Sequence, residues 1–216
     1  MSLHVEVMRP DQVRVLVRLA PLASELGFYL AGGTAVALHL GHRRSFDLDW
    51  FAPSEPSNDE ALVARLRALG LTVDVLAMSA GTLHVRADGV LVTFLRYAYD
   101  LLEPPAVEPA SGATIADQAD LVAMKLVSLS QRGSKKDFVD LLALLDAGWT
   151  VRRMLDTMRR KYGSIDEGSI LLALTYFEDG DKEPMPEMLV PLAWDRVKER
   201  FRRLAQVAAQ DLRGPC

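Results

Sequence analysis

Apolar residues at Val13, Leu16, Leu19, Leu22 and Leu26 recur at helical spacing from Asp11 onward, predicting a helix that Gly27 ends and Pro21 kinks. The run FYLA (28–31) fits a short buried strand. Gly32-Gly33 breaks it, and Thr34 is placed to cap a short helix reaching about Leu40. From Phe46 to Phe51 the pattern alternates: Phe46, Leu48 and Trp50 share one face, and Asp47, Asp49 and Phe51 the other. A helix is expected over 59–69, stopped by Gly70. Three β-rich runs follow, TVDVLAM (72–78), TLHVRA (82–87) and VLVTFLRY (90–97), the last two joined by the hairpin signal Asp88-Gly89.

The stretch 103–114, rich in Pro, Gly and Ala, reads as a boundary. Beyond it the periodicity is helical over about 115–131, 135–147, 151–161, 165–177 and 190–210. The acidic run EDGDKE (178–183) reads as a loop. A mixed α/β half thus precedes an all-α half, with no internal repeat.

Composition narrows the class. The 216 residues, half of them apolar and a quarter charged, suit one domain or a compact two-part unit with its own core. Cys216 is the only cysteine, so an internal disulfide framework and a cysteine-cluster zinc site are excluded. No apolar run is long enough to span a bilayer, and the N-terminus lacks a secretory pattern, so a cytoplasmic protein is expected. The net charge of −4 falls entirely in residues 1–110, which carry 13 Asp/Glu against 9 Lys/Arg. A global basic field for nucleic acid is absent. Local basic faces at Arg152, Arg153, Arg159, Arg160 and Lys161, and at Lys198, Arg200, Arg202 and Arg203, read chiefly as solvated surface.

Candidate chemistry concentrates in AGGTAVALHLGHRRSFDLDWF (31–51). Gly32 and Gly33 allow a sharp turn and close backbone approach, and the following helix aims its free N–H groups at that turn, a seat for phosphate. Asp47 and Asp49 project from one strand face, where two like charges call for a cation between them. Hard oxygen ligands of this kind suit Mg²⁺ carrying substrate phosphates. His4, His39, His42 and His84 show no metal-ligand spacing and read as ordinary surface or supporting residues.

The pattern GG[ST], about a dozen residues, then hR-[ST]-x-D-x-D-hh resembles the nucleotidyltransferase fold of DNA polymerase β type. FYLAGGTAVALHLGHRRSFDLDWF is similar to the AbiEii/AbiGii-type toxin family of nucleotidyltransferases. Lys125 with RGSKKDFVDLLALL (132–145) resembles that family's second motif. The resemblance implies an α+β protein: a nucleotidyltransferase-fold mixed-sheet core with flanking helices over 1–110, then a helical part over 111–216 that closes the nucleotide cleft. It implies that Gly32, Gly33 and Thr34 cradle phosphates and that Asp47 and Asp49 hold Mg²⁺ or Mn²⁺. Arg44 and Ser45 would position the acidic strand, Lys125 and Lys136 would neutralise triphosphate charge, and Asp137 would lie close to the cleft. The implied activity is transfer of a nucleoside monophosphate from an NTP to a hydroxyl of a tRNA end or a protein, in a toxin-like setting with a cognate antitoxin and no membrane.

One departure stands out. Many enzymes of this fold carry a third carboxylate on a later strand, where VLVTFL (90–95) offers Thr93. Asp137, Asp74 or an acid of the 178–183 cluster is the expected substitute. Thr93 also keeps open a protein that binds nucleotide or a partner without catalysis. The near-neutral helical half keeps open a small-molecule transferase of the antibiotic-modifying kind. For Ser134-x-x-Asp137 a helix capping box is the structural alternative, and for Lys125 a snorkelling surface lysine.

Overall fold

The computed structural model describes residues 3–53 and 59–213; Cys216 lies outside the described residues. Two compact units divide the chain, Met1–Asp117 and Gln118–Cys216.

The first unit opens with a single 3-10 turn, Val5–Val7, and helix α1, Pro10–Glu25. Val15, Leu16, Leu19, Ala20, Leu22 and Ala23 face inward from α1, which packs on the sheet. The helix runs on through Pro21. The carbonyl deprived of its partner there belongs to Val17, which is 42% exposed, so water can satisfy it. Strand β1 (Tyr29–Ala31) leads directly into α2 (Gly32–Leu40), and β2 (Asp47–Ala52) returns antiparallel to β1. Helix α3 (Asp59–Ala68) precedes the meander β3 (Val73–Ser79), β4 (Thr82–Ala87) and β5 (Val90–Arg96). Asp88 (φ 46°) and Gly89 (φ 86°) form the tight turn between β4 and β5, both in the left-handed region that a primed hairpin turn requires.

Seven strands pair in the order β3-β4-β5-β2-β1-β7-β6. β5 lies parallel to β2, and β1 lies parallel to β7. One face is fully buried, with Leu48, Trp50, Val85, Val92 and Phe94 at 2% exposure or less. Phe28 meets Phe94 edge to face at 5.2 Å between ring centres. The opposite face carries the half-buried Asp47, Asp49 and Thr93 and the exposed His84 and Arg86.

The stretch 103–114 contributes two strands, β6 (Ala106–Val107) and β7 (Thr114–Ile115), and is not a plain connector. Two-residue strands are too short to leave a periodic signal. A side chain fixes their turn: the buried Glu108 carboxylate accepts hydrogen bonds from the Ala110 and Ser111 backbone N–H groups at 3.0 and 2.6 Å.

The second unit is helical: α4 (Gln118–Arg132), α5 (Lys135–Asp146), α6 (Val151–Tyr162), α7 (Glu167–Ala173), α8 (Glu178–Asp181) and α9 (Trp194–Arg213). Phe138 of α5 sits among Phe177, Trp194 and Phe201, with ring centres 5.0, 5.6 and 5.4 Å away. Lys161 is fully buried against Asp120 at 2.6 Å, so it leaves the basic face expected of α6. The single turn α8 replaces the loop expected over 178–183. Tertiary contacts hold it: Asp181 accepts from Trp194 Nε1 at 2.5 Å and from Lys198 at 3.0 Å, and Gly180 packs on the Trp194 ring.

Because Phe138 is 0% exposed inside this aromatic cluster, Phe138→Ala should cost about 3–5 kcal/mol. Urea unfolding followed by tryptophan fluorescence measures this, with Phe138→Leu falling well short of that loss.

Candidate active site

The site starts where β1 becomes α2. Gly32 and Gly33 are the first two residues of the helix, with Ala31 preceding them as its cap, so Thr34 lies inside the first turn and is not the cap. Gly32 has φ +67°, and a Cβ placed on it would lie 2.5 Å from Asp49 Oδ2. A Cβ on Gly33 would lie 2.6 Å from an Arg43 guanidinium nitrogen. Gly32 is therefore required by both proximity and backbone conformation, whereas a Cβ at Gly33 would displace the end of the Arg43 side chain. The buried Thr34 hydroxyl turns inward, donating to the Asp47 carbonyl and lying 2.7 Å from the Ser45 hydroxyl. This stitch fixes α2 to the start of β2 just where the acidic pair begins.

Asp47 and Asp49 alternate with the buried Leu48 and Trp50, so both carboxyl-bearing positions fall on the open face. Asp49 also stands against the N-terminal turn of α2, where the helix dipole favours negative charge. Register places Thr93 beside Asp49 and His84 beside Thr93. His84 Nδ1 lies 3.2 Å from Thr93 Oγ1. Among the described residues no group of three or more His, Cys, Asp or Glu is arranged to hold a metal. Two half-buried carboxylates beside a turn too tight for a Cβ suit Mg²⁺, which keeps waters and shares its coordination with substrate phosphates.

The two arginines before Ser45 divide their work. Arg44, the expected site residue, donates to the Glu6 carbonyl at 3.2 Å. Arg43 is 4% exposed, donates to the Arg44 carbonyl at 2.8 Å and packs on Gly33. Arg43 thus backs the glycine turn, a role that adjacent identical residues could not reveal. Of the surface or supporting roles expected for the histidines, burial leaves the supporting one to His39 and His42, and His39 Nε2 meets the Ala116 carbonyl at 2.9 Å.

The second motif gathers inside the helical unit. Lys125 lies between Asp137 at 2.9 Å and Asp140 at 2.6 Å, with its own side chain 5% exposed and both carboxylates at 0%. Arg132 engages both Asp137 oxygens, at 2.7 and 3.0 Å. The Ser134 hydroxyl donates to Asp137 Oδ2 at 3.1 Å and makes no bond to the helix end, so the capping box does not form. Lys125 does not snorkel; its charge is balanced inside the unit. Lys136 is exposed and has no hydrogen bond or ion pair to this cluster. On the basic face of α6, Asp156 pairs with Arg152 and Arg159 at 3.3 and 2.9 Å.

Burial would raise the Asp137 pKa, but the Lys125 ammonium and the Arg132 guanidinium outweigh it and hold the carboxyl below its ordinary 3.8. A depressed folded pKa gives stability that is complete above the unfolded value and disappears as pH falls through the folded one. Asp137→Asn should therefore cost about 3 kcal/mol near pH 7. Wild type and variant should converge on acidification below pH 3.8, measured as urea midpoints across a pH series. Gly32→Ala should lower the unfolding temperature more than Gly70→Ala. Gly70 shares the positive φ (+78°) but has open space where the Cβ would go, so the difference isolates the Asp49 contact.

No protein-family model matches the chain. The uncharacterized protein aq_aa25 of Aquifex aeolicus (strain VF5) is 37% identical over 198 residues, 91% of this chain and 95% of that protein. The nucleotidyltransferase toxin MenT4 (Rv2826c) of Mycobacterium tuberculosis H37Rv superposes with TM-score 0.53 at 19% identity, over 95% of this chain and 88% of the other. JHP933 from Helicobacter pylori gives TM-score 0.54 at 14% identity, over 94% and 91%. Identity of 37% to aq_aa25 over nearly the whole of both chains, and the architecture shared with the solved structures, lead to one assignment. The chain belongs to the same family as aq_aa25 and has a nucleotidyltransferase fold.

Proposed function

We propose that the chain is a divalent-metal-dependent nucleotidyltransferase that moves a nucleoside monophosphate from an NTP to an acceptor hydroxyl. The observation that carries this reading is the contact of Gly32 with Asp49, which brings a phosphate-accepting helix terminus against an acidic strand face. The N–H groups of the first turn of α2 receive triphosphate oxygens. Asp47 and Asp49 hold Mg²⁺ or Mn²⁺, which when bound neutralises phosphate charge and polarises the reacting phosphoryl group. Thr34, Ser45, Arg43 and Arg44 keep β2 and α2 in register. For Lys125, Lys136 and Asp137 the family resemblance supports nucleotide contacts, although Lys125 and Asp137 already form an ion network. A tRNA end or a protein hydroxyl is the acceptor we carry, with an antitoxin as partner. The MenT4 architecture, belonging to a toxin, supports that setting.

A second reading rests on Thr93. Its neutral hydroxyl stands next to Asp49 where a third acid would complete a two-metal site, which favours nucleotide binding without transfer.

Incubating the protein with each α-labelled NTP, Mg²⁺ or Mn²⁺, and total tRNA or cell lysate separates the two. Labelled product is expected, falling at least about 100-fold in Asp47→Asn and in Asp49→Asn. Tight NTP binding with no transfer under either metal supports the second reading.

A further inference from the structure

Attack by a hydroxyl on phosphorus requires the acceptor oxygen to lose its proton as the new O–P bond forms. Carboxylates committed to a cation are poor receivers for it. The row of residues running across the open face of the sheet contains another candidate. Ala31, Asp49, Thr93, His84 and Ala77 occupy successive paired positions on β1, β2, β5, β4 and β3. Of the four histidines, His84 alone stands on a strand. Its ring meets the Thr93 hydroxyl at 3.2 Å, and its solvent side is exposed.

Resting on the transferase reading above, we infer that the Thr93–His84 pair receives the acceptor proton, in place of a third carboxylate. Strands lie about 4.8 Å apart, so His84 and Asp49 are separated by about 10 Å of backbone with Thr93 between them. An acceptor hydroxyl seated over Thr93 lies between the acidic pair and the imidazole. As the acceptor oxygen bonds to the α-phosphorus, the bond from that phosphorus to the bridging oxygen breaks. Pyrophosphate leaves with the electron pair. The acceptor proton passes to Thr93 Oγ1 while the Thr93 proton passes to His84 Nδ1, and the imidazolium later returns its proton to water.

Neighbouring groups leave His84 available for this. Ala77 faces it from β3, so no charged side chain stands directly opposite. Arg86, two positions along β4, turns to the Gly89 carbonyl at 3.3 Å, and Asp74 on β3 pairs in register with Arg86 rather than with His84. On the far side, Asp49 and Asp47 face the row from β2.

The test uses the full chain with α-labelled ATP, GTP, CTP and UTP in turn, with Mg²⁺ or Mn²⁺, and with total tRNA and cell lysate as acceptor sources, under single-turnover conditions. His84→Ala should slow transfer about 100-fold and leave the Kd for a fluorescent ATP analogue unchanged. Imidazole added at millimolar concentration should restore transfer in His84→Ala and leave wild type unaffected. Thr93→Val should resemble His84→Ala, while Thr93→Asp combined with His84→Ala should recover most of the lost rate through the new carboxylate. Transfer by wild type with His84→Ala equally fast overturns this inference and leaves the enzyme reading standing. A slow His84→Ala that neither imidazole nor Thr93→Asp rescues also overturns it, because His84 is then only structural. Nucleotide binding with no transfer by wild type overturns both.

Discussion

At Gly32 the helix α2 and the strand β2 come so close that only a hydrogen atom fits between the backbone and the Asp49 carboxylate. The positive φ of Gly32 turns the chain from β1 into α2 without a connecting loop, which sets the helix terminus over the sheet. Thr34 then ties the first turn of the helix to the Asp47 carbonyl, and Arg43 fills the space beside Gly33. Each of these contacts fixes the acidic pair relative to free backbone N–H groups. Preorganised donors and carboxylates of this kind are what a metal–triphosphate substrate needs, because no reorganisation is then required at the moment of reaction.

The two units place charge differently. In the first, Asp47 and Asp49 stand half-buried on the open face of the sheet, within the half of the chain that carries the surplus negative charge. In the second, Lys125, Arg132, Asp137 and Asp140 neutralise one another, and Lys161 neutralises Asp120 in the interior. Breaking such a network by removing one member strands a buried charge, so its members read strongly in stability measurements whatever else they contact. Among the described residues, no helix is long and apolar enough to cross a membrane.

Period-two alternation was enough to place Asp47 and Asp49 on one face and Leu48 and Trp50 on the other, because burial of one sheet face leaves no freedom of register. The hairpin at Asp88-Gly89 was legible for an equally local reason, the positive φ at both positions. What escaped the sequence depended on distant partners. Thr34 and Ser134 carry the residue types of helix caps, yet their hydroxyls bond to Asp47 and Asp137, since buried acceptors there outcompete the helix ends. The α8 turn needs Trp194 from thirteen residues beyond Asp181, and β7 needs Leu30 from a much earlier strand. Arg43 and His84 were hidden more simply. Nothing in a pair of adjacent arginines, or in an isolated histidine on a strand, tells which atoms will stand beside them.

In the proposed function, the Gly32–Gly33 turn and the Asp47/Asp49 face form one metal–triphosphate site. A crystal of the protein grown with Mn²⁺ and a non-hydrolysable NTP analogue tests it by anomalous scattering. Manganese bound by Asp47 and Asp49, with the triphosphate against the first turn of α2, is the expected result. Manganese or triphosphate bound elsewhere, with that turn and those two carboxylates untouched, would contradict it.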